Sequence, residues 1–303
     1  MPRRFIMGIA GAVVVIAAIG MAIVGNQQGW WIGGKAKSLF VHAQQAKAQG
    51  DLQVAQAKLE ELVSTFPDSP WTDDALLELG GVYEAQQQLV EARSMYRTMM
   101  ERFPDSPLLS QAQLKLGNVN IALLLSPTIT DLDTTYQVKP GDSLGKIAQA
   151  NGTTVEFLKQ SSGRNGDIIR PGQKLKVPKG RFSIVVDKSQ NQLLLTEDNQ
   201  FVKLYPVATG QNNSTPVGTF HVVNRLEHPV WYKQGVVVPP NSPENILGTH
   251  WLGLDKPGYG IHGSVDPSAM GQQVTAGCVR MINTDVRELF TLVPVGTEVT
   301  IVD

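Results

Sequence analysis

Cysteine is almost missing from this chain: Cys278 is the only one in 303 residues. One thiol cannot close an internal disulfide, so cysteine usage says nothing about redox compartment. No cysteine stands near the N-terminus, which removes a lipid anchor on such a residue. An excess of one charge is missing too. The net charge is −1, from 26 Lys and Arg against 27 Asp and Glu. That excludes an overall pull toward nucleic acid. Close metal-ligand spacing is also lacking, so a zinc site from His221, His228, His250 and Cys278 is set aside. What remains is a chain with 42% hydrophobic and 17% charged residues, long enough for two or more domains.

One long apolar run is present. "MPRR" precedes an uncharged stretch from Phe5 to Gly25. About 20 apolar residues cross a bilayer as a helix. A cleaved signal would have a shorter apolar core and a small-residue cleavage site, and "VGNQQGWW" is a poor one. We therefore expect a transmembrane anchor over residues 5–25, within an N-terminal segment 1–31. Arg3 and Arg4 would stay in the cytoplasm, and Trp30 and Trp31 would mark the outer interface. The bulk of the chain would then face the periplasm or cell wall.

Residues 35–124 read as helical, and they repeat. "FPDSP" occurs at Phe66–Pro70 and at Phe103–Pro107, 37 residues apart. Ala55 matches Ala92, Ala75 matches Ala112, and Leu79-Gly80 matches Leu116-Gly117. A fixed period of this size marks stacked helical hairpins. The prolines stop one helix and the Asp-Ser-Pro that follows is expected to cap the next. The segment resembles tetratricopeptide repeats, with about two and a half units. It is either a spacer with its own core or a groove for a protein partner; the sequence leaves both open.

Residues 125–135 are a linker by composition. From Tyr136 the chain reads strand, turn, helix, turn, helix, turn, strand. "KPGDS" is a turn ending in a helix cap, Asp142 or Ser143, and "IRPGQKLKVP" feeds an edge strand. These two stretches closely resemble a LysM module, a βααβ unit, over residues 136–179. The resemblance implies binding of N-acetylglucosamine-containing glycans such as peptidoglycan. Residues 134–179 carry eight Lys and Arg against three Asp and Glu. That excess is either a solvated face or a secondary attraction to an anionic wall polymer.

Residues 182–303 change character. β-Branched runs broken by turn clusters give a mostly β domain, with one short helix over 285–292 where "DVRELFTL" has helical periodicity. Its chemistry gathers around "TAGCVRMIN". A lone cysteine is most often a small buried hydrophobe. Three neighbours argue otherwise. His262 in "GIHGS" lies 16 residues upstream, enough for a loop to return an imidazole to the thiol and store its proton. Gly277 permits a tight backbone whose N–H groups face a developing oxyanion. Arg280, two residues on, faces the same side in an extended chain and suits a substrate carboxylate or carbonyl. The pattern suggests acyl transfer onto sulfur.

"IHGS" followed by Thr275–Met281, "TPVGTF" (215–220), "ATG" (208–210) and "GTHWLGL" (248–254) together resemble the L,D-transpeptidase catalytic domain. The resemblance implies roles. Cys278 would be the nucleophile and His262 the base, with the Gly263 carbonyl orienting the imidazole. The Gly277 and Cys278 amides would form the oxyanion hole. Arg280, His250, Trp251 and Ser264 would contact substrate. No metal or other cofactor is required. Members often carry His where this chain has Ala276, which implies altered substrate contacts. His42, His221 and His228 are read as structural or solvated. The whole then reads as a membrane-anchored peptidoglycan L,D-transpeptidase. A non-catalytic wall-binding tether is the rival, and it needs none of His262, Gly277, Cys278 and Arg280.

Overall fold

The computed structural model describes residues 25–233, 235–240 and 242–303. The membrane segment expected over residues 5–25 lies outside them, except for Gly25. Among the described residues no helix is long and apolar enough to cross a membrane.

Five helices come first: α1 (Gly25–Ala48), α2 (Leu52–Thr65), α3 (Thr72–Ala85), α4 (Leu89–Arg102) and α5 (Leu109–Leu124). The repeated alanines explain the packing. Ala55, Ala92, Ala75 and Ala112 are all fully buried, so neighbouring helices approach closely at each repeat. Gly80 does the same: a Cβ there would overlap the ring of Tyr96 on α4. The expected Asp-Ser-Pro caps are corrected. Trp71 and Leu108 occupy the cap positions without a side-chain bond. Ser69 and Ser106 instead accept the N–H two residues on, at 3.3 and 3.1 Å. Pro70 and Pro107 fill the turn with their fixed φ, so each helix starts two residues later.

The βααβ unit follows: β1 (Asp133–Gln137), α6 (Leu144–Ala150), α7 (Val155–Ser161) and β2 (Lys174–Pro178), with β1 and β2 antiparallel. Of the two candidate caps, Ser143 serves α6, accepting the Lys146 N–H at 3.3 Å. Asp142 closes the turn before it, accepting from Lys139 N–H at 2.7 Å and from the Tyr136 hydroxyl at 2.9 Å.

The remaining strands are β3 (Phe182–Asp187), β4 (Gln192–Glu197), β5 (Gln200–Pro206), β6 (Thr209–Gly210), β7 (Gly218–Glu227), β8 (Trp231–Lys233), β9 (Val236–Val238), β10 (His250–Leu254), β11 (Gly260–His262), β12 (Gln273–Thr275), β13 (Val279–Arg280) and β14 (Glu298–Val302). Eight of them form one sheet in the order β13-β11-β10-β7-β14-β3-β4-β5. The helix expected over 285–292 is α8 (Asn283–Leu292), which buries Val286, Leu289 and Phe290 against this sheet.

These parts are packed together. One core joins Leu144, Phe157 and Leu175 of the βααβ unit to Ile184, Leu195 and Val286 of the β domain, and takes in Ile121 and Leu124 of α5. The half repeat is completed by the sheet. At Gly117, the repeat equivalent of Gly80, a Cβ would lie 2.9 Å from Lys203 Cγ of β5. Asn120 donates to the Phe201 and Val202 carbonyls at 3.2 and 2.9 Å. β5 therefore stands where the second helix of a third repeat would stand, and α5 covers an edge that would otherwise present unpaired backbone.

Residues 125–135 are likewise held. The Lys176 ammonium, on a residue 3% exposed, donates to the carbonyls of Leu123, Ser126 and Thr128 at 2.7, 3.2 and 2.7 Å. It also pairs with Asp133 at 3.1 Å. One of the eight basic residues counted in this unit is thus spent inside the fold, and Lys159 pairs with Asp167. Beside the Lys176–Asp133 pair lies Glu197. Burial pushes its carboxyl up to about 7, against the Gly180 N–H that favours the anion, with Asp133 and Asp198 adding to the rise and Lys176 opposing it. The folded state thus holds a proton that the unfolded chain has lost. The stability this gives is full at acidic pH and disappears as pH rises through about 7. The displacement corresponds to about 3 kcal/mol. Glu197→Gln is expected to raise Tm relative to the parent at about pH 8 and leave it unchanged at about pH 4, read by calorimetry at both.

Candidate active site

Side chains alternate across a strand. Ile261 and Val279 face each other across the parallel β11–β13 pair and are buried in the core with Val286 and Leu289. Their neighbours His262 and Arg280 therefore point to the opposite face, as do Gly260 and Cys278. The order of strands thus brings the thiol, the imidazole and the guanidinium to one side of the sheet. Arg280 is fixed by its backbone, exchanging two 2.8 Å bonds with Ala208. Met281 N–H donates to the His262 carbonyl at 2.9 Å.

His262 is 2% exposed. Its Nδ1 lies 2.8 Å from the Gly263 carbonyl. A carbonyl only accepts, so Nδ1 carries the proton and Nε2 is the free acceptor. Burial holds the imidazole down to about 4, with the Arg280 charge acting the same way and the Gly263 bond opposing. Gly263 has no room for a side chain, because a Cβ would overlap Asn283 Oδ1. That oxygen accepts from the Thr249 N–H and hydroxyl at 3.0 and 3.2 Å.

Cys278 is partly exposed. Its thiol donates to the Gly258 carbonyl at 3.6 Å, and no hydrogen bond joins it to the imidazole. Burial pushes the thiol up, opposed by the Gly260 amide and the Arg280 charge. Both groups are thus held toward their neutral forms, with the thiol turned to Gly258. Thr275 shapes the loop before the thiol: its hydroxyl accepts from Gly277 N–H at 3.2 Å and donates to the Cys278 carbonyl at 2.6 Å. Of the two amides expected at an oxyanion hole, that of Gly277 is engaged, and that of Cys278 has no partner among the described residues. The Nε of Arg280 is buried and also without one.

Gly277 has φ +133°, in the region that favours glycine. A Cβ there would lie 2.8 Å from Tyr259 Cε1. Gly277→Ala is expected to displace the loop and slow acylation of Cys278 by about a hundredfold, the scale for a misplaced reacting atom. Stopped-flow acylation with the alanine variant checks this; an unchanged rate removes the role of the loop conformation.

The expected substrate contacts separate. Trp251 and Ser264 lie at the site. Trp251 is opposite His262 on β10, and Ser264 follows Gly263, its hydroxyl accepting Asp266 N–H at 3.1 Å. His250 does not lie there. As the strand neighbour of Trp251 it points to the other face, where its ring packs 4.8 Å from Phe290 of α8. Thr275 and Asn283 went unassigned from sequence; both act by bonding backbone rather than substrate, and only the Thr of "TAGC" left a trace. Among the described residues no three His, Cys, Asp or Glu side chains are grouped to hold a metal ion.

A mostly β domain with an imidazole at the end of β11 and a thiol just before its parallel partner β13 has the form of a transpeptidase catalytic domain. Comparison with known proteins agrees. The profile of the L,D-transpeptidase catalytic domain matches residues 181–301, that of the LysM domain 136–178, and that of the tetratricopeptide repeat 46–116. The putative L,D-transpeptidase YkuD of Bacillus licheniformis is 40% identical over 174 residues, which cover 55% of this chain and 97% of that protein. Its Bacillus subtilis counterpart is 36% identical over 174 residues, 55% of this chain and 98% of that one. Among solved structures, an L,D-transpeptidase from Mycobacterium smegmatis is 19% identical with a TM-score of 0.36, covering 44% of this chain and 64% of its own. The chain belongs to the L,D-transpeptidase family, carrying tetratricopeptide repeats and a LysM domain ahead of the catalytic domain.

Proposed function

We propose that this protein is a membrane-anchored peptidoglycan L,D-transpeptidase that works through a thioester on Cys278. The observation that carries the reading is the placement of a thiol, a neutral imidazole and a guanidinium whose buried Nε has no partner among the described residues, all on one face of the β11–β13 pair and its approach. The donor is a tetrapeptide stem. As the sulfur attacks the carbonyl of its third residue, Nε2 of His262 takes the thiol proton. The free Cys278 N–H faces the oxyanion, and Arg280 binds a carboxylate or carbonyl of the stem. Breaking the peptide bond passes the proton from His262 to the amine of the departing D-Ala. An acceptor amine then attacks the thioester, His262 takes its proton, and the sulfur leaves and receives that proton, restoring the neutral thiol and imidazole. The acceptor is another stem, a protein or a free D-amino acid.

A transient turn of the thiol away from Gly258 is part of this reading. So are the module limits: anchor 1–31, repeats 35–124, linker 125–135, LysM 136–179 and catalytic domain 182–303. LysM would hold glycan, raising the local concentration of stems. The repeats are either a spacer or a dock for a protein. Incubating the full-length protein with purified tetrapeptide muropeptides tests the activity. Released D-Ala and a new coupled product are expected by mass spectrometry; muropeptides left unaltered overturn the reading.

A further inference from the structure

The imidazole of His262 is walled on two sides. Strand register puts Trp251 directly across from it on β10 and Arg280 directly across from it on β13. The indole and imidazole centroids are 6.1 Å apart, with their planes 21° from parallel. That is within the range of offset aromatic stacking.

The indole is itself held in place. Its Nε1–H donates to Asn224 Oδ1 at 3.0 Å, and Asn224 lies on β7, the next strand toward the middle of the sheet. Two glycines lie beneath the ring. A Cβ at Gly260 would fall 2.5 Å from Trp251 Cζ2, and one at Gly253 would fall 2.7 Å from Trp251 Nε1. Gly253 and Gly260 are cross-strand partners, so the same patch of sheet lacks a side chain on both strands. Neither is among the glycines with positive φ. The bare patch is filled by the flat ring.

We propose that Trp251, anchored by Asn224, is a positioning residue that confines the imidazole of His262 to one plane above the sheet. This rests on the reading of His262 as the base. The bond from Nδ1 to the Gly263 carbonyl fixes only one end of the ring, which could still pivot about it. The indole on one side and Arg280 on the other close off that pivot, so Nε2 is held in a single place. The indole also covers a face of the imidazole that water would otherwise reach, which keeps the base unprotonated. A residue whose only task was to touch substrate would need neither a bed of two glycines nor an anchor on β7.

Trp251→Leu and Trp251→Phe in the full-length protein test this, with imipenem acylation of Cys278 followed from about pH 3.5 to about pH 8. Trp251→Leu is expected to slow acylation about tenfold to about a hundredfold and to move the acid limb upward toward the ordinary histidine range. Trp251→Phe keeps a flat ring and restores most of the rate and the low acid limb. Side-chain nitrogen NMR of His262 reads the same shift without any turnover. A Trp251→Leu protein with the parental acid limb and ring titration, whose loss is confined to weaker imipenem binding, would make Trp251 a substrate contact and overturn the proposal. Equal behaviour of the Leu and Phe variants would overturn it as well. If instead His262→Gln acylates like the parent, the catalytic reading itself fails; a crippled His262→Gln beside an unaffected Trp251→Leu sinks the positioning role alone.

Discussion

Cys278→Ala is expected to fold normally, form no adduct with a carbapenem and release no D-Ala from tetrapeptide stems. No other thiol is available among the 303 residues, because Cys278 is the only cysteine. Two nearby hydroxyls are engaged: Thr275 Oγ1 with the Cys278 carbonyl and the Gly277 N–H, and Ser264 Oγ with the Asp266 N–H. The fold should survive, since the side chain is partly exposed and makes one long bond to Gly258. Loss of the nucleophile from an acyl-transfer site costs about 10⁴-fold or more. Intact-mass measurement after imipenem should show one adduct on the parent and none on the variant. An adduct of equal yield on Cys278→Ala would place the nucleophile elsewhere.

His262→Gln is expected to have the second largest effect, with a characteristic pH dependence. In the parent, burial keeps the imidazole neutral down to about pH 4, so the base is available throughout the neutral range. The thiol is pushed above its ordinary value, so few molecules hold a free thiolate there. Acylation by the parent should therefore hold its rate as pH falls from about 7 and drop only near pH 4. Without the base, the variant depends on the small thiolate fraction. Its rate should fall about tenfold for each unit below the thiol pKa, giving a deficit of about 10² to 10⁴ at neutral pH. Parallel pH profiles in parent and variant would show that the imidazole does not accept the proton.

Much of the site's strand geometry was legible because the chemistry sits at a period of two. Cys278 and Arg280 share a side of an extended chain, and the structure puts them on one face of β13 and its approach. The same rule separates His250 from Trp251, since adjacent strand residues cannot both face the site. The resemblance points to the Gly263 carbonyl, which does meet the imidazole. The space it leaves for Asn283 depends on a contact between β11 and α8 that no local pattern carries. The thiol's bond to Gly258 is equally silent in sequence, as it is set by the turn between β10 and β11.

The helical part was legible through its 37-residue period, and α8 through its apolar spacing. Its boundary with the rest was harder to read. "SPTITDLDTT" has a linker's composition, yet a lysine 50 residues further along the chain binds two of its carbonyls and one from the end of α5. Composition reports what a segment could do alone, whereas Lys176 imposes order from outside. The Asp-Ser-Pro of "FPDSP" reads as a cap because it precedes a helix. The prolines beside them moved the helix start, and a hydrogen bond to an N–H two residues on was the one left within reach.

The seating of β5 on α5 has a mechanical result. With Asn120, Gly117 and the Lys176 ammonium clasping the chain on both sides of the junction, the repeats and the sheet behave as one lever rather than as beads on a string. Whatever restrains α1 also sets the direction in which Cys278 faces. On the function proposed above, such an enzyme would reach fresh substrate by travelling or tilting as a whole, and substrate lying off its arc would stay untouched however abundant it was.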